Sequence, residues 1–114
     1  MIRVTVSYPT TAGARFDMDY YMTKHMPMVA GRLNGRGLAG WAVDQGLSGG
    51  APGSPAAYHI QASLIFESVE AFQAAMASEG AALLADVPNY TDIPPRIDVY
   101  QIVAEQASVR GTGA

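Results

Sequence analysis

The sequence predicts an α+β domain of the ferredoxin-like type, with the element order β-α-β-β-α-β and a four-stranded antiparallel sheet. Three observations support this fold class. Several short stretches alternate strictly between apolar and polar residues, two longer stretches carry apolar residues at helical spacing, and glycine or proline clusters separate them. With 114 residues, of which 49 % are hydrophobic, the chain is long enough for one domain with its own core.

The four predicted strands are the short alternating stretches. They cover residues 2–8, 38–45, 58–66 and 96–103. The first strand has one apolar face, formed by Ile2, Val4, Val6 and Tyr8. A Gly- and Pro-rich segment, residues 47–57, joins the two middle strands and is interpreted as a long hairpin loop that could act as a lid over a site.

Two helices are predicted, and each begins at a residue that can cap its free amides. Asp17 caps the first helix, which spans about residues 18–34, because its carboxylate can accept from amides of the first turn. Ser68 caps the second helix, whose apolar stripe continues to Val87 across a weak point at Gly80.

The first helix carries the most distinctive pattern in the chain. One of its faces is apolar, and His25 is the only imidazole on that face. Phe16 and Tyr21 stand at the two positions of a hydrophobic staple. Pro27 lacks a backbone donor, so we expect it to push Met26 away from helical angles and to kink or restart the helix just beyond His25.

The second face of the sheet requires a partner other than the helices, since two helices can cover only one face of a four-stranded sheet. Its side chains are too apolar for a solvated surface and too polar for a dry core. They are Arg3, Thr5, Ser7, Gln61, Ser63, Ile65, Tyr100 and Ile102. A sheet-to-sheet homodimer would cover this face by closing two sheets into a barrel, so a dimeric α+β barrel is the expected assembly.

Composition excludes several classes of partner and chemistry. The net charge is −3 and the chain has no basic run, which argues against nucleic acid or an anionic membrane surface as a partner. The absence of cysteine rules out disulfides, thiol catalysis and thiolate metal sites. The chain begins with an alternating strand pattern instead of a signal peptide, and no stretch approaches the ~20 apolar residues of a membrane helix. A cytoplasmic location is therefore expected.

The candidate functional side chains are an imidazole, several phenols, an indole and a carboxylate. They are His25, Tyr20, Tyr21, Trp41, Tyr90 and Asp92. Such groups around an apolar cavity suit proton transfer on, or orientation of, a hydrophobic cyclic ligand. The structural alternative stays open: His25 can be a core residue bound to a carbonyl, and Tyr90 can be a loop anchor. No metal-ligand spacing and no nucleophile elbow is present, so we expect neither a metal site nor a nucleophilic triad.

Several segments together resemble the signature of the EthD family, named after a component of an ethyl tert-butyl ether degradation cluster. They are residues 13–21, 24–27, 49–55, 68–72 and 88–92. The resemblance covers about residues 1–103, which we expect to form the domain, whereas the small and polar residues 104–114 suggest a disordered tail. The helix motif of the family corresponds here to Asp17, Tyr20, Tyr21, His25 and Pro27.

The resemblance implies a dimeric α+β barrel, in a superfamily that also contains cofactor-free antibiotic-biosynthesis monooxygenases and muconolactone isomerase. One hypothesis is a small-molecule-binding protein of catabolic or secondary metabolism that isomerises, cyclises or oxygenates a hydrophobic substrate without a cofactor. In it His25 is the general acid/base, and Tyr21 and Tyr90 orient the substrate. Further ligand contacts would come from Trp41, Tyr20 and Asp92. The alternative is a non-catalytic accessory protein of a cytochrome monooxygenase system, the role that EthD itself is regarded as having.

Overall fold

Four antiparallel strands form one layer of the protein. They are β1 (Ile2–Pro9), β2 (Leu38–Gln45), β3 (Tyr58–Phe66) and β4 (Arg96–Gln101). The strands lie in the order β2-β3-β1-β4, so the first and third strands are central and the other two form the edges. This computed structural model describes residues 1–106, and the predicted tail lies outside the described residues from residue 107 onward.

Two helical stretches cover one face of the sheet. The first stretch is continuous and consists of α1 (Met18–Tyr20), a π-helical turn (Tyr21–His25) and α2 (Met26–Leu33). The second is α3 (Val69–Ala85), followed by a 3-10 turn (Val87–Asn89). The predicted element order and the α+β class are confirmed, and so are both N-caps. The Asp17 carboxylate and the Ser68 hydroxyl each accept a hydrogen bond from an amide of the first turn.

Helix α2 begins at Met26, directly after His25, where a kink or restart is expected from the sequence, but the prediction for the angles of Met26 is wrong. Met26 has helical angles, with φ −64° and ψ −39°, and its amide donates to the carbonyl of Tyr21, five residues earlier. The irregularity lies before the proline, as a widened turn within the helix. Pro27 then stands in the first turn of α2, where its fixed φ is compatible with the helix and its missing donor is best tolerated.

The core lies between the sheet and the helices. Strands β1 and β3 and the first helical stretch supply most of it, through Ile2, Val4, Tyr8, Ile60, Leu64, Phe66, Tyr21, Met26, Val29 and Leu33. In α3 the buried residues are the small Ala75 and Gly80, whereas the first residue, Val69, is exposed. Helix α3 therefore approaches the core through its small residues, with Phe72 and Met76 partly buried beside them. Within residues 1–106 no helix is both long and apolar enough to cross a membrane.

The second face of the sheet carries the mixed side chains expected from the sequence. Strand register sets Arg3 between Ile65 and Tyr100. The polar residues of β1 and β3 follow on the same face, farther along the two strands. Ser7 is buried among its neighbours and donates to Gln61 over 3.2 Å, whereas Tyr100 is 52 % exposed. A homodimer through this face stays a prediction.

Candidate functional site

An apolar cavity of about 90 Å³ lies between the sheet and the helices, and we refer to it as the cavity. Its walls come from β1, β3, the first helical stretch, α3 and the start of β4. The lining residues used below are Tyr8, Tyr21, His25, Ala62, Met76, Gly80, Leu84 and Ile97. Leu84 and Ile97 are 53 % and 45 % exposed, so the cavity reaches the surface beside them. The inner wall carries two phenols and one imidazole, from Tyr8, Tyr21 and His25.

The π-helical turn brings Tyr21 and His25 to the cavity together. Both side chains are buried, and their rings stack with centroids 5.5 Å apart and planes 18° from parallel. Phe16 packs edge-on against Tyr21 at 5.1 Å, which confirms the predicted staple. A π turn adds one residue to the helical repeat and re-aims the side chains within it, which is why such turns are frequent at functional sites.

His25 bonds to a carboxylate and not to a main-chain carbonyl. Its Nδ1 lies 2.8 Å from Oδ2 of Asp86, the residue that ends α3 and begins the 3-10 turn. The other carboxylate oxygen, Oδ1, accepts from the Tyr20 hydroxyl at 2.7 Å and from the side-chain amide of Asn89 at 2.9 Å. Burial raises the pKa of Asp86, but the hydrogen bonds from Asn89, Tyr20 and His25 outweigh it and hold the pKa below its usual range.

The other ring nitrogen of His25 is connected by hydrogen bonds, through the hydroxyl of Tyr90, to Tyr8, which lines the cavity. The Tyr90 hydroxyl lies 3.4 Å from His25 Nε2 and 2.5 Å from the Tyr8 hydroxyl. Because Asp86 is ionised and only accepts, His25 donates from Nδ1, and in the neutral imidazole Nε2 is an acceptor. With that tautomer Tyr90 can donate to His25, and Tyr8 then donates to Tyr90. We call this series Asp86–His25–Tyr90–Tyr8 the relay.

The phenols of Tyr8, Tyr21 and Tyr90 all hold their protons firmly. Burial raises the pKa of Tyr8, of Tyr21 and of Tyr90 above the usual value, and neighbouring Tyr8 raises the pKa of Tyr90 further. At neutral pH each phenol is thus a hydrogen-bond donor. Within residues 1–106 no fully buried side-chain nitrogen or oxygen lacks a hydrogen-bond partner.

The loop that carries Tyr90 is hydrogen-bonded to the residues directly before the first helix. The carbonyl of Tyr90 accepts from the amide of Asp17 at 2.7 Å, and Thr91 donates to the carbonyl of Arg15 at 2.7 Å. Asp92 accepts from the amide of Arg15 at 2.9 Å. These contacts hold the Tyr90 ring next to His25, with centroids 4.6 Å apart.

The structure brings together some of the predicted site residues and separates others. His25, Tyr21 and Tyr90 lie together, and Tyr20 reaches them indirectly through Asp86. Trp41 lies on the edge strand β2, is 43 % exposed and does not line the cavity. Asp92 also lies outside the cavity, where it accepts a hydrogen bond from the amide of Arg15. None of the residues 47–57 lines the cavity, so this loop is not its lid.

Sequence reasoning missed two members of the relay, Tyr8 and Asp86. The alternation of β1 did place Tyr8 on the core face, but nothing in that pattern distinguishes a packing tyrosine from one that bonds through its hydroxyl. Asp86 is 61 residues from its histidine partner. A carboxylate directly after an apolar helix stripe is the one signal that could have drawn attention to it.

Comparison with known proteins identifies the family of this chain. The profile of the EthD domain matches residues 12–94. The chain belongs to the EthD family. An EthD-like protein from Ralstonia eutropha JMP134 is 46 % identical over 93 % of this chain and 95 % of that chain, with a TM-score of 0.85. No functionally curated protein matches the sequence at a significant level.

More distant structures share the fold. An EthD-family protein from Bacillus halodurans C-125 is 18 % identical, over 90 % of this EthD-family chain and 99 % of that chain, with a TM-score of 0.69. HapK from Hahella chejuensis is 15 % identical, over 95 % of this chain and 99 % of that chain, with a TM-score of 0.57. At these identities the likeness concerns the fold alone.

Proposed function

We propose that this protein binds a hydrophobic cyclic molecule in the cavity and transfers a proton on it without a cofactor, with His25 as general acid/base. The observation that carries the proposal is the relay. A carboxylate, an imidazole and two phenols are linked in series, and both His25 and Tyr8 line the cavity. Acid–base groups linked in this way are the parts needed to remove a proton from a carbon acid and to return it elsewhere.

Proton removal would begin at Tyr8, beside the substrate, and end at His25. The proton on a carbon beside the substrate carbonyl moves to the Tyr8 oxygen while the proton of Tyr8 moves to Tyr90. The proton of Tyr90 moves to His25 Nε2, which leaves an enolate in the cavity and an imidazolium beside the Asp86 carboxylate. Because burial raises the pKa of both phenols, neither would be a stable phenolate, and the transfers would occur together. Return of the proton to another carbon gives an isomerised product.

The cavity also contains a group suited to hold the substrate carbonyl. Tyr21 lines the cavity and remains protonated, because burial raises its pKa. Its hydroxyl can donate to the carbonyl oxygen and, more strongly, to the enolate oxygen as negative charge develops there. The apolar walls favour entry of a ring system and exclude water from the charged intermediate.

The test is hydrogen–deuterium exchange of a ketone probe. We expect the protein to accelerate exchange of the protons beside the carbonyl of 2-tetralone in D₂O, followed by ¹H NMR. His25→Asn should lower the accelerated rate by about 100-fold or more, the usual contribution of a general acid/base. His59→Asn is the matched control, because His59 is half-buried against Phe16 and lies outside the cavity.

Binding of 2-tetralone is measured in the same samples by saturation-transfer NMR. Exchange that persists in His25→Asn and equals that of His59→Asn would contradict the role of His25. Binding with no accelerated exchange in the wild type would reject catalysis and leave a binding protein, in line with an accessory role. Neither binding nor exchange would reject the cavity as the site.

A further inference from the structure

Gly80 lies at an unusual place for a glycine, in the interior of α3 and fully buried. Glycine in a helix interior is less favourable than alanine, because it loses more backbone freedom on folding. A buried glycine is usually explained by a close contact that excludes a side chain, or by a backbone angle that other residues avoid. Gly80 has neither feature.

The surroundings of Gly80 would accept a methyl group. Its φ is not in the left-handed region, and an added Cβ would have only Met76 within 4 Å, at 3.6 Å from Cβ and 3.7 Å from Sδ. These are ordinary van der Waals separations. No atom of the opposite sheet wall lies within 4 Å of that position, so the added group would project into the cavity that Gly80 lines.

Met76, Gly80 and Leu84 succeed one another at four-residue spacing and therefore lie in one row along α3. All three line the cavity, and the exposed Leu84 stands at its opening. Gly80 thus forms a gap between two large side chains, one turn of helix inside the opening. The sheet wall opposite contributes another small residue, Ala62.

We infer that Gly80 is a specificity-determining residue, whose missing side chain leaves room for the second ring of a flat, fused-ring ligand that carries one polar group. This inference rests on the proposed function of the cavity as the ligand site. The polar group would lie at the inner wall near Tyr8 and Tyr21, and the fused ring would extend past Gly80 to the opening at Leu84. A ligand of a single ring would occupy the inner part alone and would not depend on Gly80.

The test compares two ketones of different size, cyclohexanone and 2-tetralone, on Gly80→Ala. We expect the Kd for 2-tetralone to rise about ten-fold or more, since a methyl group would overlap the second ring, and the Kd for cyclohexanone to change less than about two-fold. Gly31→Ala is the matched control, because Gly31 lies in α2, is exposed and has open space around it. Both variants should raise Tm by about 3 °C through helix propensity, which shows that Gly80→Ala folds.

A second variant checks that space is the cause. Met76→Ala in the Gly80→Ala background should recover most of the affinity for 2-tetralone, because it removes the side chain next to the added methyl. Equal loss of affinity for both ketones, or no loss for either, would overturn the inference while the wild-type binding upholds the proposed function. A wild-type protein that binds neither ketone would reject the proposed function itself, and the inference with it.

Discussion

At the scale of single residues, the Asp86 carboxylate determines which nitrogen of His25 donates to it. The carboxylate is ionised and can only accept, so Nδ1 is the donor, and in the neutral imidazole Nε2 can accept from Tyr90. The relay therefore acts as a unit, and removing one member should affect its neighbours.

Tyr90→Phe tests whether protons pass through the relay or reach His25 directly. The change removes a hydroxyl that contacts both His25 and Tyr8, so it leaves buried polar atoms unpaired and should lower the free energy of unfolding by about 1–3 kcal/mol. Exchange of 2-tetralone should fall by about 100-fold. Urea unfolding and ¹H NMR measure the two effects. Exchange at the wild-type rate would mean that His25 takes the proton directly. Tyr100→Phe, at an exposed tyrosine outside the cavity, should leave the exchange rate unchanged.

Asp86 should also control stability at acid pH. Its folded-state pKa is lowered by hydrogen bonds from Asn89, Tyr20 and His25 that exceed the effect of burial. Its stabilising contribution is therefore complete above the unfolded value of about 3.9 and is lost as pH falls through the folded value. Asp86→Asn should be less stable than the wild type at pH 7, and the difference should shrink as the pH falls below about 4.

Urea unfolding across this pH range measures the change. Glu67→Gln, at an exposed site between β3 and α3, is the control and should follow the wild-type curve. Parallel curves for Asp86→Asn and the wild type would contradict the assigned contribution of the carboxylate.

At the scale of elements, local periodicity accounts for most of what could be predicted. The limits of β2 and β3 agree with the alternating stretches, and both helix caps lie at the expected residues, because these signals depend on neighbours in sequence. The π turn could not be foreseen, since the same apolar stripe fits an α-helix. The partnership of Asp86 with His25 depends on how α3 ends against the first helix, and a contact across 61 residues leaves no local pattern.

Pro27 provides a test of whether the π turn before it removes the usual cost of a proline inside a helix. A proline inside a regular α-helix costs about 3 kcal/mol or more. Here the widened turn precedes Pro27, and the residue occupies the first turn of α2. Pro27→Ala should therefore change the free energy of unfolding by less than about 1 kcal/mol, whereas Ala30→Pro, in the middle of α2, should cost about 3 kcal/mol or more. Chemical denaturation measures both, and a gain near 3 kcal/mol for Pro27→Ala would show a strained proline.

At the scale of the whole molecule, the two faces of the sheet differ in what covers them within one chain. The helices cover one face and enclose the cavity, so the relay is complete within one chain. The second face mixes charged, polar and apolar side chains and includes the half-buried Ile65 and the exposed Tyr100. Two such faces packed together would form an eight-stranded barrel, with one cavity on each outer side. Assembly and binding would then depend on different residues.

Ile65→Lys separates assembly from binding. Strand register sets Ile65 on the open face, between Arg3 and Gly40, so a lysine there would place one more charge from each chain in a sheet-to-sheet contact. We expect the wild type to show about 24 kDa by light scattering at micromolar concentration, twice the 12.0 kDa of the chain, and the variant to show a single chain.

Ala77→Lys, at an exposed site on α3, should remain a dimer. A monomeric wild type would reject the barrel, and a dimeric Ile65→Lys would assign the contact to another surface. Since the cavity lies on the helix side, monomeric Ile65→Lys should still bind 2-tetralone.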